Sequence, residues 1–142
     1  MTIATILVGK GHEVISVTAA QSVREAVAVL AQRRVGALPV MDGDEVAGIF
    51  SERDVIHAIS AHGAAALDRN VGEVMTAPAI TVGPDEPAIG ALSLMTRRRV
   101  RHLPVIEHGR VIGVVSIGDL VKYRIDRIEA DAEAMRTYIQ TA

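Results

Sequence analysis

At 142 residues and a formal net charge of −2, the chain suits one compact domain and carries no global field that would draw it to nucleic acid or anionic membranes. It has no cysteine, which excludes disulfides, thiolate metal sites and cysteine nucleophiles. Only Phe50, Tyr123 and Tyr138 are aromatic, so the core must be aliphatic and a flat ligand must be gripped between aliphatic side chains.

Met1–Val8 is short and lacks a basic start, so no signal peptide is expected. Glu13–Val17 alternates as an extended segment. Ser22 followed by Glu25 is a capping-box signature for a helix with Val23, Val27 and Leu30 on one face. Ala37–Met41 and Glu45–Phe50 are predicted to form a hairpin around Asp42-Gly43-Asp44. Ser51 then starts a helix through Val55, Ile56 and Ile59 that ends near Gly63. Ala64–Asn70 reads as a linker and Val71–Met75 as a helical turn, with Ile6–Lys10 as its counterpart. Ile80–Val82 is predicted as a strand, and Pro87 sits early in a helix carrying Leu92 and Met95. A second hairpin turns at His108-Gly109, and Ser116 opens the last helix. The apolar stretch Val111–Leu120 is broken by Gly113, Gly118 and Asp119 and falls short of the ~20 residues of a membrane span. A soluble, cytoplasmic protein without membrane contact is expected.

Residues 14–59 lie on residues 79–124 at a constant offset of 65 without a gap, and 13 of the 46 pairs are identical. The identities cluster: Arg33-Arg34-Val35 on Arg98-Arg99-Val100, Leu38-Pro39-Val40 on Leu103-Pro104-Val105, and Gly48, Ser51 and Asp54 on Gly113, Ser116 and Asp119. A repeat of this kind governs the whole reading of a fold. The predicted architecture is α+β: two strand–helix–strand–strand–helix units related by a pseudo-two-fold axis, plus a long C-terminal helix. The first repeat with its helical lead-in covers 1–62, a linker 63–70, the second repeat 71–125 and a helical extension 126–142. In the tail, Val121, Ile125, Ile128, Ala132, Met135 and Ile139 follow the 4, 3, 4, 3, 4 spacing of a heptad seam. That stripe either packs back on its own domain or pairs with a second subunit or partner.

Gly113–Asp119 and its twin Gly48–Asp54 each run from a strand into a helix N-terminus, where unpaired N–H groups and the helix dipole favour phosphate. Ser51 or Ser116 adds a donor, and Arg53 a charged one. Asp54 or Asp119 is acceptor-only, suited to the two hydroxyls of a vicinal diol. Ser-x-x-Asp is equally a good helix cap, and its recurrence does not separate the two roles.

With the Leu-Pro-Val strands and Gly-x-x-Ser-x-x-Asp closing each hairpin, residues 3–125 resemble a tandem pair of CBS domains, a Bateman module. GIFSERD and VSIGDLVK are similar to stand-alone bacterial CBS-pair signal-transduction proteins. The resemblance implies a regulatory module for adenosine-containing ligands such as AMP, ADP, ATP, NAD or S-adenosylmethionine, with no catalytic cofactor. It places Asp54 and Asp119 on ribose, and Ser51, Arg53 and Ser116 on phosphate. Ser16, Gly36, Ala37, Leu38 and Pro39 would line the first cleft; Thr81, Arg101, His102, Leu103 and Pro104 the second. Lys10 is a further phosphate candidate for the first. Gly118 stands where the first copy has Arg53, so Arg101 and His102 are the expected phosphate partners of the second, and the two clefts should differ in preference.

Arg97–Arg99 reads as a solvated helix end, and nucleic-acid binding is disfavoured by the charge and the scarcity of aromatics. The histidines show no metal-ligand spacing. Nucleophile–base pairs and metal sets are not found, so an enzyme is not expected. The remaining readings are a ligand sensor, homodimeric as the resemblance implies and signalling to a separate protein, and a constitutive adaptor with idle clefts.

Overall fold

The computed structural model describes residues 1–141. Its elements run α1 (Ile3–Lys10), β1 (Val17–Thr18), α2 (Val23–Arg33), β2 (Ala37–Asp42), β3 (Glu45–Ser51), α3 (Glu52–His62), α4 (Val71–Val74), α5 (Ala88–Arg98), β4 (His102–Glu107), β5 (Arg110–Ser116) and α6 (Ile117–Thr141). The architecture is α+β, two small sheets with helices, and the repeat is visible in its finest detail. β2 pairs antiparallel with β3 from Ala37↔Ser51, with a bulge between Val40 and Met41. β4 pairs with β5 from His102↔Ser116, with a bulge between Val105 and Ile106. β3 and β5 show the same sequence of exposed and buried positions.

The ends of α2 and α5 match as well, whereas their starts differ: Pro87 at the start of α5 makes no side-chain cap. Ser22 accepts from the Glu25 N–H at the start of α2. Arg34 and Arg99 end α2 and α5 in the left-handed region, at φ 53° and 55°. The stretch 63–70, expected as a plain linker, winds into a 3-10 helix over Gly63–Asp68 with Ala66 buried. No helix among the described residues is long and apolar enough to cross a membrane.

The leading strands are much shorter than expected. Of Glu13–Val17 only Val17 pairs, with Thr18, in parallel to Val40 and Met41; of Ile80–Val82 only Val82 makes a bridge, to Val105. Pro39 and Pro104 stand one residue earlier on the neighbouring strands. The Pro104 carbonyl accepts from the Val82 N–H at 3.1 Å, but a proline has no N–H to extend a ladder.

The lead-in helices are exchanged between the repeats. Ile3 and Leu7 of α1 are fully buried among Val82, Ala91, Met95, Leu103 and Leu120 of the second repeat. Val71 of α4 is fully buried among Val23, Leu30, Val40 and Phe50 of the first. Backbone bonds pin both: Ile3 N–H to Glu86 O at 2.9 Å, and Val71 N–H to Gln21 O at 2.8 Å. Gly48 and Gly113 permit the crossing. A Cβ on Gly48 would lie 2.7 Å from the Thr76 carbonyl oxygen, and one on Gly113 would lie 2.7 Å from Leu7 Cδ2. Each repeat is therefore closed by the other's lead-in, and the two cannot be separated without opening both cores.

Candidate functional site

Ser51 closes β3 and caps α3. Its N–H donates to Asp54 Oδ2 at 2.8 Å, its hydroxyl donates to the same oxygen at 3.1 Å, and the Asp54 N–H donates to Ser51 Oγ at 3.4 Å. The other carboxylate oxygen, Oδ1, accepts from the Thr76 hydroxyl at 2.8 Å. Thr76 follows α4, and its backbone bridges Ile49 on β3. Ser51-x-x-Asp54 is thus a capping box, and it also forms one end of a cleft.

That cleft has a volume of about 540 Å³ and is walled by both repeats, within the range of small-molecule sites. Its apolar wall is Ile49 and Ile56 from the first repeat with Pro78, Ile80 and Val100 from the second. Its cationic wall is Arg53 with Arg98, Arg99 and Arg101. Arg53 crosses between repeats, Nη1 donating to the Arg99 carbonyl at 3.3 Å. Acceptors for a diol thus stand at Asp54, guanidinium donors for an anion stand beside them, and aliphatic side chains flank the space between.

His102 sits at the junction of the two halves. A Cβ on Gly36 would lie 3.2 Å from its ring, so the imidazole lies flush against that glycine. Burial lowers its pKa from the ordinary 6.5, and Lys10 lowers it further against the opposing pull of Asp119 and Glu52. The ring is neutral at pH 7 and can both donate and accept.

The twin site is differently wired. Ser116 N–H donates to Asp119 Oδ2 at 2.8 Å and the Asp119 N–H to Ser116 Oγ at 3.1 Å. Lys10, at the end of α1, donates to the same Oδ2 at 2.6 Å and to the Val114 carbonyl at 2.7 Å. Burial pushes the Asp119 pKa up, but the Lys10 and Ser116 hydrogen bonds outweigh it and leave the carboxyl below its ordinary 3.8. Arg33, the twin of Arg98, is tied to Glu13 at 2.6 Å.

Of the residues expected at the first cleft, Gly36, Ser51, Arg53 and Asp54 line it. Ala37, Leu38 and Pro39 are buried in the first repeat and Ser16 is exposed outside the lining. Lys10 is not there; the crossing of α1 carries it to Asp119. Of the second set, Ser116 and Asp119 stay together, whereas Arg101 and His102 open onto the Asp54 cleft. Leu103 and Pro104 are buried and Thr81 is exposed. Arg101 and His102 reach Asp54 because the helix start of one repeat faces the α5–β4 rim of the other. Arg98 and Arg99, read as a solvated helix end, belong to the cleft for that reason, as do Thr76 and Ile80. The signal that could have found the arginines was their identity with Arg33-Arg34 in the other copy.

A sequence model of the CBS domain matches residues 11–61 and 71–126. The CBS domain-containing protein CBSX3, mitochondrial, of Arabidopsis thaliana is 35% identical over 98% of this chain and 72% of its own length. The crystal structure of the CBS-domain containing protein ATU1752 of Agrobacterium tumefaciens superimposes with a TM-score of 0.83 at 38% identity, covering 87% of this chain and 92% of that one. A CBS domain protein of Pyrobaculum aerophilum, PAE2072, solved in complex with AMP, superimposes at 0.75 with 26% identity over 84% and 89% of the two chains. With both repeats matched and the whole arrangement shared, the chain belongs to the CBS domain family as a tandem pair.

Proposed function

We propose that this CBS pair is a non-catalytic regulatory module that takes an adenosine-containing ligand into the Asp54 cleft. The observation that carries the reading is the composition of that cleft: two carboxylates, Glu52 and Asp54, outnumbered by four arginines, and an aliphatic wall, contributed by both repeats. Asp54 would accept from the ribose diol, Arg53 and Arg98 would meet phosphate, and Ile80 and Val100 would hold the base. AMP, ADP, ATP and NAD suit the cationic wall; S-adenosylmethionine does so less well, since its sulfonium would face guanidinium groups. The AMP complex of PAE2072 is a precedent from a relative of the same fold.

A ligand held by both repeats favours the arrangement in which the cleft is formed, and it acts only through its difference in affinity for two states. A coupling of ~1–3 kcal/mol suffices for a switch. The working unit in this reading is a homodimer in the cytoplasm that passes its state to a separate protein. A constitutive adaptor is the second reading, favoured by one observation: Asp119 is already satisfied by Lys10 and Ser116.

A thermal-shift panel with AMP, ADP, ATP, NAD, NADH, S-adenosylmethionine and GTP tests the proposal. A ligand at 100 times its dissociation constant stabilises the fold by ~2.7 kcal/mol, a rise of several degrees. A rise confined to adenosine compounds supports the sensor. A flat panel makes the adaptor the better account.

A further inference from the structure

α6 is held to the second repeat only at its beginning. Leu120 is buried in the core and Tyr123 packs against it, but every residue from Arg124 to Thr141 is exposed. These residues form a rod about 27 Å long at the usual rise of an α-helix. Along it run Ile125, Ile128, Met135 and Ile139, each at least half exposed, with Ala132 between them. A free helix of this length draws little stability from propensity, and an apolar stripe this long calls for a cover.

The charges beside the stripe say what covers it. With Ile125, Ala132 and Ile139 as a positions and Val121, Ile128 and Met135 as d, the e positions are Lys122, Glu129 and Arg136. The g positions are Arg124, Asp131 and Tyr138. In a parallel, in-register pair, each g residue meets the e residue five places on in the other helix. That sets Arg124 against Glu129 and Asp131 against Arg136, opposite signs at both, and two-fold symmetry makes each pair twice. An antiparallel pair of full overlap sets Lys122 against Arg136, Glu129 against Glu129 and Asp131 against Asp131, like signs at all three, and leaves Arg124 against the uncharged Tyr138. Within one helix Asp131 is held only loosely, 3.7 Å from Arg127, and is free to exchange that partner.

We propose that α6 pairs with α6 of a second copy as a parallel, in-register, two-stranded coiled coil. Exposed stripe, heptad spacing and flanking charges agree on this one occupant. The arrangement does not depend on which ligand the cleft takes, so a flat ligand panel leaves it standing.

The test uses the full chain, whose lack of cysteine makes Met135→Cys its only thiol. In the parallel pair the two 135 positions share a layer, within the ~4–7 Å Cα reach of a disulfide. In the antiparallel pair residue 135 lies across from residue 125, so the two thiols stand about 15 Å apart. Mild oxidation is expected to convert Met135→Cys almost wholly into a covalent dimer. Asp131→Lys should weaken the dimer roughly tenfold, and adding Arg136→Glu should restore it; residues five apart do not face each other within one helix. A chain ending at Asp126 should be monomeric by light scattering. A dimer that forms no cross-link, a monomeric or trimeric full-length chain, or a dimer that persists after truncation would overturn the proposal.

Discussion

Lys10 and Asp119, 109 positions apart, are joined by a 2.6 Å ion pair that ties the end of α1 to the start of α6. Both side chains keep access to water, so the pair is worth about 0.5–1 kcal/mol. Because Asp119 titrates below its ordinary 3.8 in the folded protein, its contribution is present above that value and lost as pH falls through the lowered folded value. Lys10→Met should therefore cost stability in urea unfolding at pH 7, and the gap from the parent should narrow below about pH 4. A gap that stayed constant to pH 3 would show that α1 packing, not the ion pair, is at stake.

His102 adds a separate, higher window. Its folded pKa lies below 6.5 because the ring is buried, so acid must charge a group that the fold keeps neutral. Stability from this source is full above pH 6.5 and falls as pH drops from there toward the lowered folded value. His102→Gln, which keeps polarity and removes the titration, should flatten that slope below pH 6.5 while leaving the Asp119 window intact. An unchanged slope would move the effect to another group.

The repeat was legible because the two copies share spacing as well as residues, and turn and cap chemistry is local. Ser22, Ser51 and the Asp42-Gly43-Asp44 turn each announce an element within four residues. What stayed hidden is relational. Nothing in Ile3–Lys10 states on which repeat its apolar face rests, and the structure sets Lys10 beside Asp119 rather than Asp54. Nor does either copy alone state that the start of α3 faces the α5–β4 rim of the other, which sets Arg98, Arg99, Arg101 and His102 around Asp54. The leading strands are shorter than their alternation predicts, because alternation is read within a segment whereas the limit is set by Pro39 and Pro104 on its neighbours.

At the Asp54 cleft, capping and ligand binding use the same carboxylate, and a substitution can separate them. Asp54→Asn keeps an oxygen to accept from the Ser51 N–H, whereas Asp54→Ala loses the cap at a cost of about 1 kcal/mol. Both should weaken AMP at least tenfold by calorimetry, each having lost an acceptor for the diol. AMP affinity equal to the parent in Asp54→Asn would remove Asp54 from the ligand site.

The four arginines of the cleft predict discrimination by charge. Arg53→Ala and Arg98→Ala each remove a guanidinium whose hydrogen bond to phosphate is worth about 1.5–3 kcal/mol. AMP should weaken roughly 10–100-fold, while adenosine, lacking the phosphate, should change little. Equal losses for AMP and adenosine would mean that the substitutions disturb the shape of the cleft rather than its charge.

The two crossing glycines should differ in what they tolerate. A Cβ at Gly48 meets backbone, the Thr76 carbonyl oxygen at 2.7 Å, with Met75 Sδ at 2.9 Å beside it. Thr76 is itself fixed by its bridge to Ile49 and its bond to Asp54, so it cannot yield without pulling on the cleft. A Cβ at Gly113 meets only the tip of a side chain, Leu7 Cδ2 at 2.7 Å, which can turn into another rotamer at modest cost. Gly48→Ala should therefore cost about 2–3 kcal/mol in urea unfolding and weaken AMP binding, and Gly113→Ala about 1 kcal/mol with AMP affinity unchanged. The reverse order would mean that α1 is held more rigidly on the second repeat than the Thr76 segment is on the first. Lys10, riding on α1, would then be the firmer of the two links between the lead-ins and the clefts.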